Sequence, residues 1–267
     1  MIGSAGFVMA PLLAEEPWLV NPRRAIILSM SVLTSLGILT LALFACGFLR
    51  LVPNIFAIFY HYASAKNSRD NTLKLSGFFV VGHMMMTMVI LFLIYFILYH
   101  FLLDNPLLNV NIFYWVIAGI LALLSLFLFF FYYRRGKGTR LFLGRKLAKN
   151  ISLRARNASK KPSDVFALGM TAGIFELIFV LPVYVVVILE IINFESDNIL
   201  YQPLLFFTFV ILSMASTFAM RGQFYRKRKN LAEIHRAQVK NRTFYRIMLS
   251  ASFLLLAVFI VSFRIFS

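Results

Sequence analysis

Long runs free of charge alternate along the chain with short, strongly basic segments. A helix needs about 20 apolar residues to cross the hydrocarbon core of a bilayer. Predominantly apolar runs of that order lie at 75–103, 112–133, 165–192, 204–220 and 244–263, the last cleanest from Ile247 onward. The first apolar block, 25–64, is interrupted only by Arg50 and His61. As a straight helix it would measure about 60 Å, too long for one ordinary span, while 51–64 is too short for a second. Proline removes a backbone donor and clashes with the preceding turn, so the block predicts one long span broken at Pro53. The alternative is a full span followed by a re-entrant half-helix. Six spans follow.

The polar segments between the runs set the orientation. Segments 65–74, 134–164 and 221–242 carry 22 of the 27 Lys and Arg residues, and a six-span chain places all three on one side. Segments 104–111 and 193–203 carry none, only Asp104, Glu195 and Asp197. Positive charge collects on the cytoplasmic side, which predicts a basic cytoplasmic face and both termini outside. Arg23 and Arg24 run against this pattern, offset in part by Glu15 and Glu16. Residues 1–24 form an N-terminal segment, and 1–20 hold no apolar run long enough to span and no clear signal-peptide pattern.

Composition excludes the other classes. The chain is 61% hydrophobic and 14% charged, against about 45–50% and about 25% in soluble domains. So little charge does not cover a soluble surface, and membrane lipid becomes the expected surrounding. The net charge of +17 therefore marks a membrane face rather than nucleic acid. The single cysteine, Cys46, excludes an intramolecular disulfide, a dithiol relay or a thiolate metal site. No nucleophile elbow, phosphate-binding loop, zinc-protease motif or paired acidic metal motif occurs, so neither enzyme activity nor a cofactor is expected.

An internal repeat organises the spans. The stretch LFACGFLRLVPNIFAIFYHYAS at 43–64 is matched by MTAGIFELIFVLPVYVVVILEI at 170–191, with Pro53 and Pro182 aligned at an offset of 129 positions. Phe113-Tyr114 and Phe244-Tyr245 each open a run rich in Leu and Phe. Two halves of three spans, 25–133 and 165–267, are then joined by the basic segment 134–164. An odd number of spans per half inverts the second half relative to the first. Inverted halves with broken helices in corresponding positions are characteristic of secondary transporters, whose sites lie where the breaks meet.

This arrangement, with LVPNIFAIFYHYASAKNSRDNTLKLSGFFVVGH at 51–83, resembles the lysine-exporter superfamily, which includes the CcdA-type transmembrane thiol carriers and small lipid-addressing proteins. The resemblance covers about residues 35–265 and implies the six-span fold and a transport activity. In the thiol carriers a cysteine follows each of the two prolines; here those positions are Asn54 and Val183, so dithiol electron transfer does not carry over.

Ionisable residues within spans are costly, by about 2.5–3.5 kcal/mol on insertion scales, and are candidates for function. Glu176 lies about 18 Å into its span and must be paired, protonated or hydrated. Arg50 holds the corresponding region of the first half, and a pseudo-twofold axis would bring it to Glu176 as a gate or an anion anchor; the plainer reading has it snorkel to the interface. His83 is deep enough to shuttle a proton or simply to pack through a hydrogen bond. Its neighbours Met84, Met85 and Met86 point different ways around a helix and read as packing. Pro53 and Pro182 free backbone carbonyls that can contact a substrate, with Asn54 beside the first. Glu190 is expected near the outer end of its span, in water. Arg134, Arg135, Arg145, Lys146, Arg154 and Arg156 form a basic cluster suited to anionic lipid head groups or a cytoplasmic protein partner.

The sequence thus predicts an all-α polytopic membrane protein of the plasma (inner) membrane, with six transmembrane helices in two inverted three-helix repeats whose first helices are broken at proline. The expected function is proton-coupled transport or export of a small amphipathic or anionic substrate, with Glu176 as the coupling carboxylate. The alternative is a non-transporting membrane subunit or lipid-handling factor acting through its basic loops.

Overall fold

The computed structural model describes residues 22–49, 51–104, 110–132, 145–159, 161–192, 201–227, 233, 236 and 240–262. Among them every regular element is helical. In order these are α1 (Pro22–Phe48), α2 (Leu51–Lys66), α3 (Arg69–Asp104), α4 (Val110–Phe127) with a π-helical end (Leu128–Tyr132), α5 (Arg145–Ala158), α6 (Pro162–Ile192), α7 (Tyr201–Ser213), α8 (Ala215–Lys227) and α9 (Arg242–Ile260). Among the described residues five stretches are long and apolar enough to cross a membrane: Leu33–Lys66, Arg69–Leu102, Asn111–Phe131, Pro162–Ile192 and Thr243–Ile260. A sixth results if the bent pair Gln202–Ser213 and Ala215–Tyr225 is one span. The chain is therefore built as a multi-pass membrane protein.

Its surface agrees with lipid as solvent. Phe92, Phe96, Leu123, Phe131, Ile178 and Leu204 are all exposed, a density of large apolar groups that water does not tolerate on a monomer. The interior is centred on α6, which packs against α1, α2, α3, α4, α5 and α7. Within α2, all residues from Leu51 to Phe59 are buried, Asn54 completely. An aromatic cluster fills the basic-side half: Phe59 stacks on Phe79 at 5.7 Å, Phe56 meets Phe79 edge-on at 5.2 Å, and Tyr60 stacks on Phe224 at 4.3 Å.

The proline expectations need correction. The first interruption falls after Phe48, and Pro53 sits in the first turn of α2, where its missing N–H has no intrahelical partner to lose. Pro182 does not interrupt α6, which is helical from Pro162 to Ile192. Residues on both sides of it, Val180 and Val183 among them, are buried, and packing of this kind holds proline within membrane helices. The break comes instead within 204–220, where a continuous span was expected. There α7 and α8 meet at 41° around Met214, whose carbonyl accepts both the Thr217 and Phe218 amides, at 2.9 and 3.0 Å. Buried Ser213 adds a hydroxyl bond to the Val210 carbonyl, 2.8 Å, a local competitor of the helical ladder.

The basic segment 134–164 contains a helix rather than loop alone. α5 turns Ile151, Ala155 and Ala158 inward against α2 and α6 and leaves Arg154 and Arg156 exposed. The turn between α2 and α3 holds its end: Lys66 Nζ donates to the Arg156 carbonyl at 3.1 Å, and Asn67 Nδ2 to the Ser159 carbonyl at 2.8 Å. These bonds satisfy carbonyls that a helix end otherwise leaves open. Arg134 and Arg135 lie outside the described residues; Arg145 and Lys146 open α5.

Candidate functional site

The site forms where α3 and α6 approach most closely. Along α6, Gly169, Ala172, Gly173 and Glu176 are all buried, and this i, i+3, i+4, i+7 spacing puts them on one face. Gly169 and Gly173 make a small-xxx-small pair, which lets membrane helices touch backbone to backbone. A Cβ at Gly169 would overlap the Phe79 carbonyl oxygen and stand 3.0 Å from the His83 nitrogen. From the other side, a Cβ at Gly82 would overlap the Phe166 carbonyl oxygen. Gly173 faces Met86 Cβ at 3.1 Å and His83 Cδ2 at 3.2 Å from its would-be Cβ.

This contact brings two ionisable side chains together. His83 Nε2 and Glu176 Oε2 share a hydrogen bond of 3.0 Å, with side chains 3% and 10% exposed. Which of the two donates depends on the imidazole tautomer and on whether the carboxyl carries the proton. His83 Nδ1 is buried and makes no hydrogen bond among the described residues. Thr87 Oγ1 donates to the His83 carbonyl at 3.1 Å, and the same hydroxyl faces the buried Tyr184 side chain. Buried Cys46 of α1 lies within electrostatic range of both Glu176 and Tyr184. Four polar or polarisable groups from α1, α3 and α6 therefore share the neighbourhood of one buried carboxylate.

A second buried carboxylate lies further along the same helix. Glu190, expected in water, is 1% exposed. Ser35 Oγ donates to its Oε2 at 2.7 Å and Tyr114 OH to its Oε1 at 2.9 Å, so Glu190 ties α1 and α4 to α6. It was misread because position near a span's end suggests water, whereas hydroxyls from two distant helices replace that water here. Glu190 lies about 21 Å along the axis from Glu176. Between them on the same face Val180, Val183 and Val187 are fully buried, an apolar seal between two polar centres.

Of the expected site residues, His83 and Glu176 meet, Pro182 lies six residues beyond Glu176 within α6, and Asn54 is buried at the start of α2. Arg50, and with it the expected approach to Glu176, lies outside the described residues; among those described, His83 meets Glu176. Met86 packs on Gly173 while Met85 is 47% exposed, in keeping with methionines that serve as packing. His61 and His100 are exposed, near helix ends. Among the described residues no group of three or more His, Cys, Asp or Glu side chains could hold a metal. An open apolar groove between α1 and α9, lined by Leu33, Gly37, Leu41, Leu255 and Phe259, contains none of these polar groups. No family model matches the chain, nor does any curated protein or solved structure.

Proposed function

We propose that this chain is a proton-coupled secondary transporter or exporter of a small amphipathic or anionic solute, with Glu176 as the coupling carboxylate and His83 as its proton partner. The observation that carries the reading is the buried 3.0 Å His83–Glu176 pair at the α3–α6 contact. Membrane interiors retain such groups where protons or substrates pass. The valine seal between Glu176 and Glu190 supports a cycle in which one polar centre communicates with each side in turn. The matched halves around Pro53 and Pro182, and the resemblance to lysine exporters, support alternating access by two inverted three-span repeats. In this reading the basic face is cytoplasmic, both termini are outside and the host is the plasma membrane.

The test is uptake into proteoliposomes containing the full chain, driven by an imposed pH gradient, across a panel of small carboxylates and amines. The reading expects one class to accumulate with the wild type, and Glu176→Gln and His83→Gln to abolish gradient-driven accumulation. Full gradient-driven uptake in Glu176→Gln would sink the assignment.

A second reading draws on α5. Its docking by Lys66 and Asn67 presents Arg154 and Arg156 outward, as a non-transporting subunit or lipid-handling factor would require. It expects charge neutralisation on α5 to abolish function while Glu176→Gln is tolerated.

A further inference from the structure

At the start of α9, on the basic side, two buried polar atoms make no hydrogen bond among the described residues: Arg246 Nε and Ser250 Oγ. Residues four apart lie on one helix face, and α9 packs against both α4 and its π-helical end Leu128–Tyr132. Both positions are held by that contact. Ser125 Oγ of α4 donates to the Ser250 carbonyl at 2.8 Å, and the Arg246 guanidinium lies over the Phe129 ring at 4.7 Å from its centroid. Ser250 is 6% exposed, so its hydroxyl is not left to water as a surface serine would be. π-Helical turns are rare and recur at functional sites; here the turn carries Phe129 to the arginine.

A guanidinium N–H and a hydroxyl one helical turn apart are matched donors for an oxyanion, and arginine is the preferred partner of phosphate. The depth suits a head group rather than a buried substrate. Arg246 lies about 6 Å along α9 from its first residue, and the apolar stretch begins at Thr243. Beside it Phe127, Phe130, Phe131, Phe244 and Ile247 are exposed as lipid-facing surface, against which acyl chains can lie. Basic notches between membrane helices on the cytoplasmic side hold anionic head groups in this way.

We infer that Arg246 and Ser250 form a binding site for the phosphate of an anionic phospholipid, at the junction of the π-helical end of α4 with α9. The site is separate from the α5 basic cluster and does not depend on the transport reading.

The experiment is native mass spectrometry of the purified full chain in a neutral detergent, titrated separately with phosphatidylglycerol, phosphatidylcholine and free glycerol phosphate. Wild type is expected to retain phosphatidylglycerol over the other two. Arg246→Gln is expected to weaken that affinity by about tenfold or more, the scale of one lost charge-assisted hydrogen bond. Ser250→Ala weakens it less, and Arg154→Gln on α5 leaves it unchanged. If Arg246→Gln does not fold, Arg246→Lys carries the test: it keeps the charge, lacks the planar fork and is expected to lose most of the preference. Equal phosphatidylglycerol binding in Arg246→Lys and Ser250→Ala would overturn the site. Equal retention of free glycerol phosphate would overturn its assignment to lipid.

Discussion

Replacing Gly169 by alanine separates packing from chemistry, because the two glycines of α6 face different kinds of neighbour. At Gly169 the added methyl meets backbone: it overlaps the Phe79 carbonyl oxygen, with the Phe79 carbonyl carbon and the His83 nitrogen each at 3.0 Å. Backbone within a packed helix has no rotamer to change, so α3 and α6 must separate by about 1 Å to restore van der Waals distance. Overpacking of this kind costs about 1–3 kcal/mol. The gain in helix propensity of about 1 kcal/mol from Gly to Ala offsets part of it, leaving a net loss of up to about 2 kcal/mol. The same separation would lengthen the 3.0 Å His83–Glu176 bond beyond the range of a good hydrogen bond. At Gly173 the neighbours are side-chain atoms, Met86 Cβ and Cγ and His83 Cδ2 at 3.1–3.2 Å, and a shift of a few tenths of an ångström relieves the contact. Gly173→Ala should therefore lie within about 1 kcal/mol of wild type. The assay is thermal unfolding of both variants in one detergent, with proton-coupled uptake measured beside it. Gly169→Ala should lower the midpoint and, on the transport reading, impair uptake as Glu176→Gln is expected to. A Gly169→Ala midpoint no lower than that of Gly173→Ala, together with unimpaired uptake, would refute the close α3–α6 contact on which the site depends.

Other expectations follow from the remaining contacts. Glu190→Leu orphans the Ser35 and Tyr114 hydroxyls at about 1–3 kcal/mol each, whereas Glu190→Gln keeps an acceptor oxygen; a thermal midpoint ordered wild type, Gln, Leu supports the account, and equal variants contradict it. Lys66→Ala with Asn67→Ala removes the two bonds at the end of α5, each worth about 0.5–1.5 kcal/mol. Hydrogen exchange over 145–158 should then accelerate while exchange in α6 holds steady; unchanged exchange in α5 would count against that docking. Cys46, the sole cysteine and buried beside the Glu176 neighbourhood, is a built-in probe. A permeant maleimide should label it faster under an imposed pH gradient in wild type, and Glu176→Gln should abolish that increase. Labelling that responds equally in both would separate the opening of the bundle from Glu176.

The parts of this architecture that depend on local composition were readable in the chain. Apolar run length marks the spans, and depth within a run singled out His83 and Glu176 separately. Their pairing needs the register of α3 against α6, which no single span reveals. The signal nearest to it was GMTAG at 169–173 with Glu176 one turn later: a small-residue face ending in a carboxylate, opposite a histidine that itself follows Gly82. Glu190 was misread because hydroxyls 155 and 76 positions away supply its partners. Helix α5 was hidden by its own charge: Ile151, Ala155 and Ala158 recur at helical spacing, but lysines and arginines dominate the segment. The bend at Met214 involves neither proline nor glycine, and coincides with bifurcated acceptance at one carbonyl. The proline rule failed at Pro182 for the opposite reason, since packing on several sides holds α6 helical through a residue that breaks helices in water.

The central claim is that the His83–Glu176 pair binds and releases a proton inside the folded bundle. The direct measurement is an infrared difference spectrum of the full chain in lipid between acid and alkaline conditions, for wild type, Glu176→Gln and Glu190→Gln. The account predicts a protonated-carboxyl band that is present in wild type and Glu190→Gln, disappears in Glu176→Gln, and is shifted by His83→Gln. A wild-type spectrum with no carboxyl band sensitive to Glu176 would contradict it.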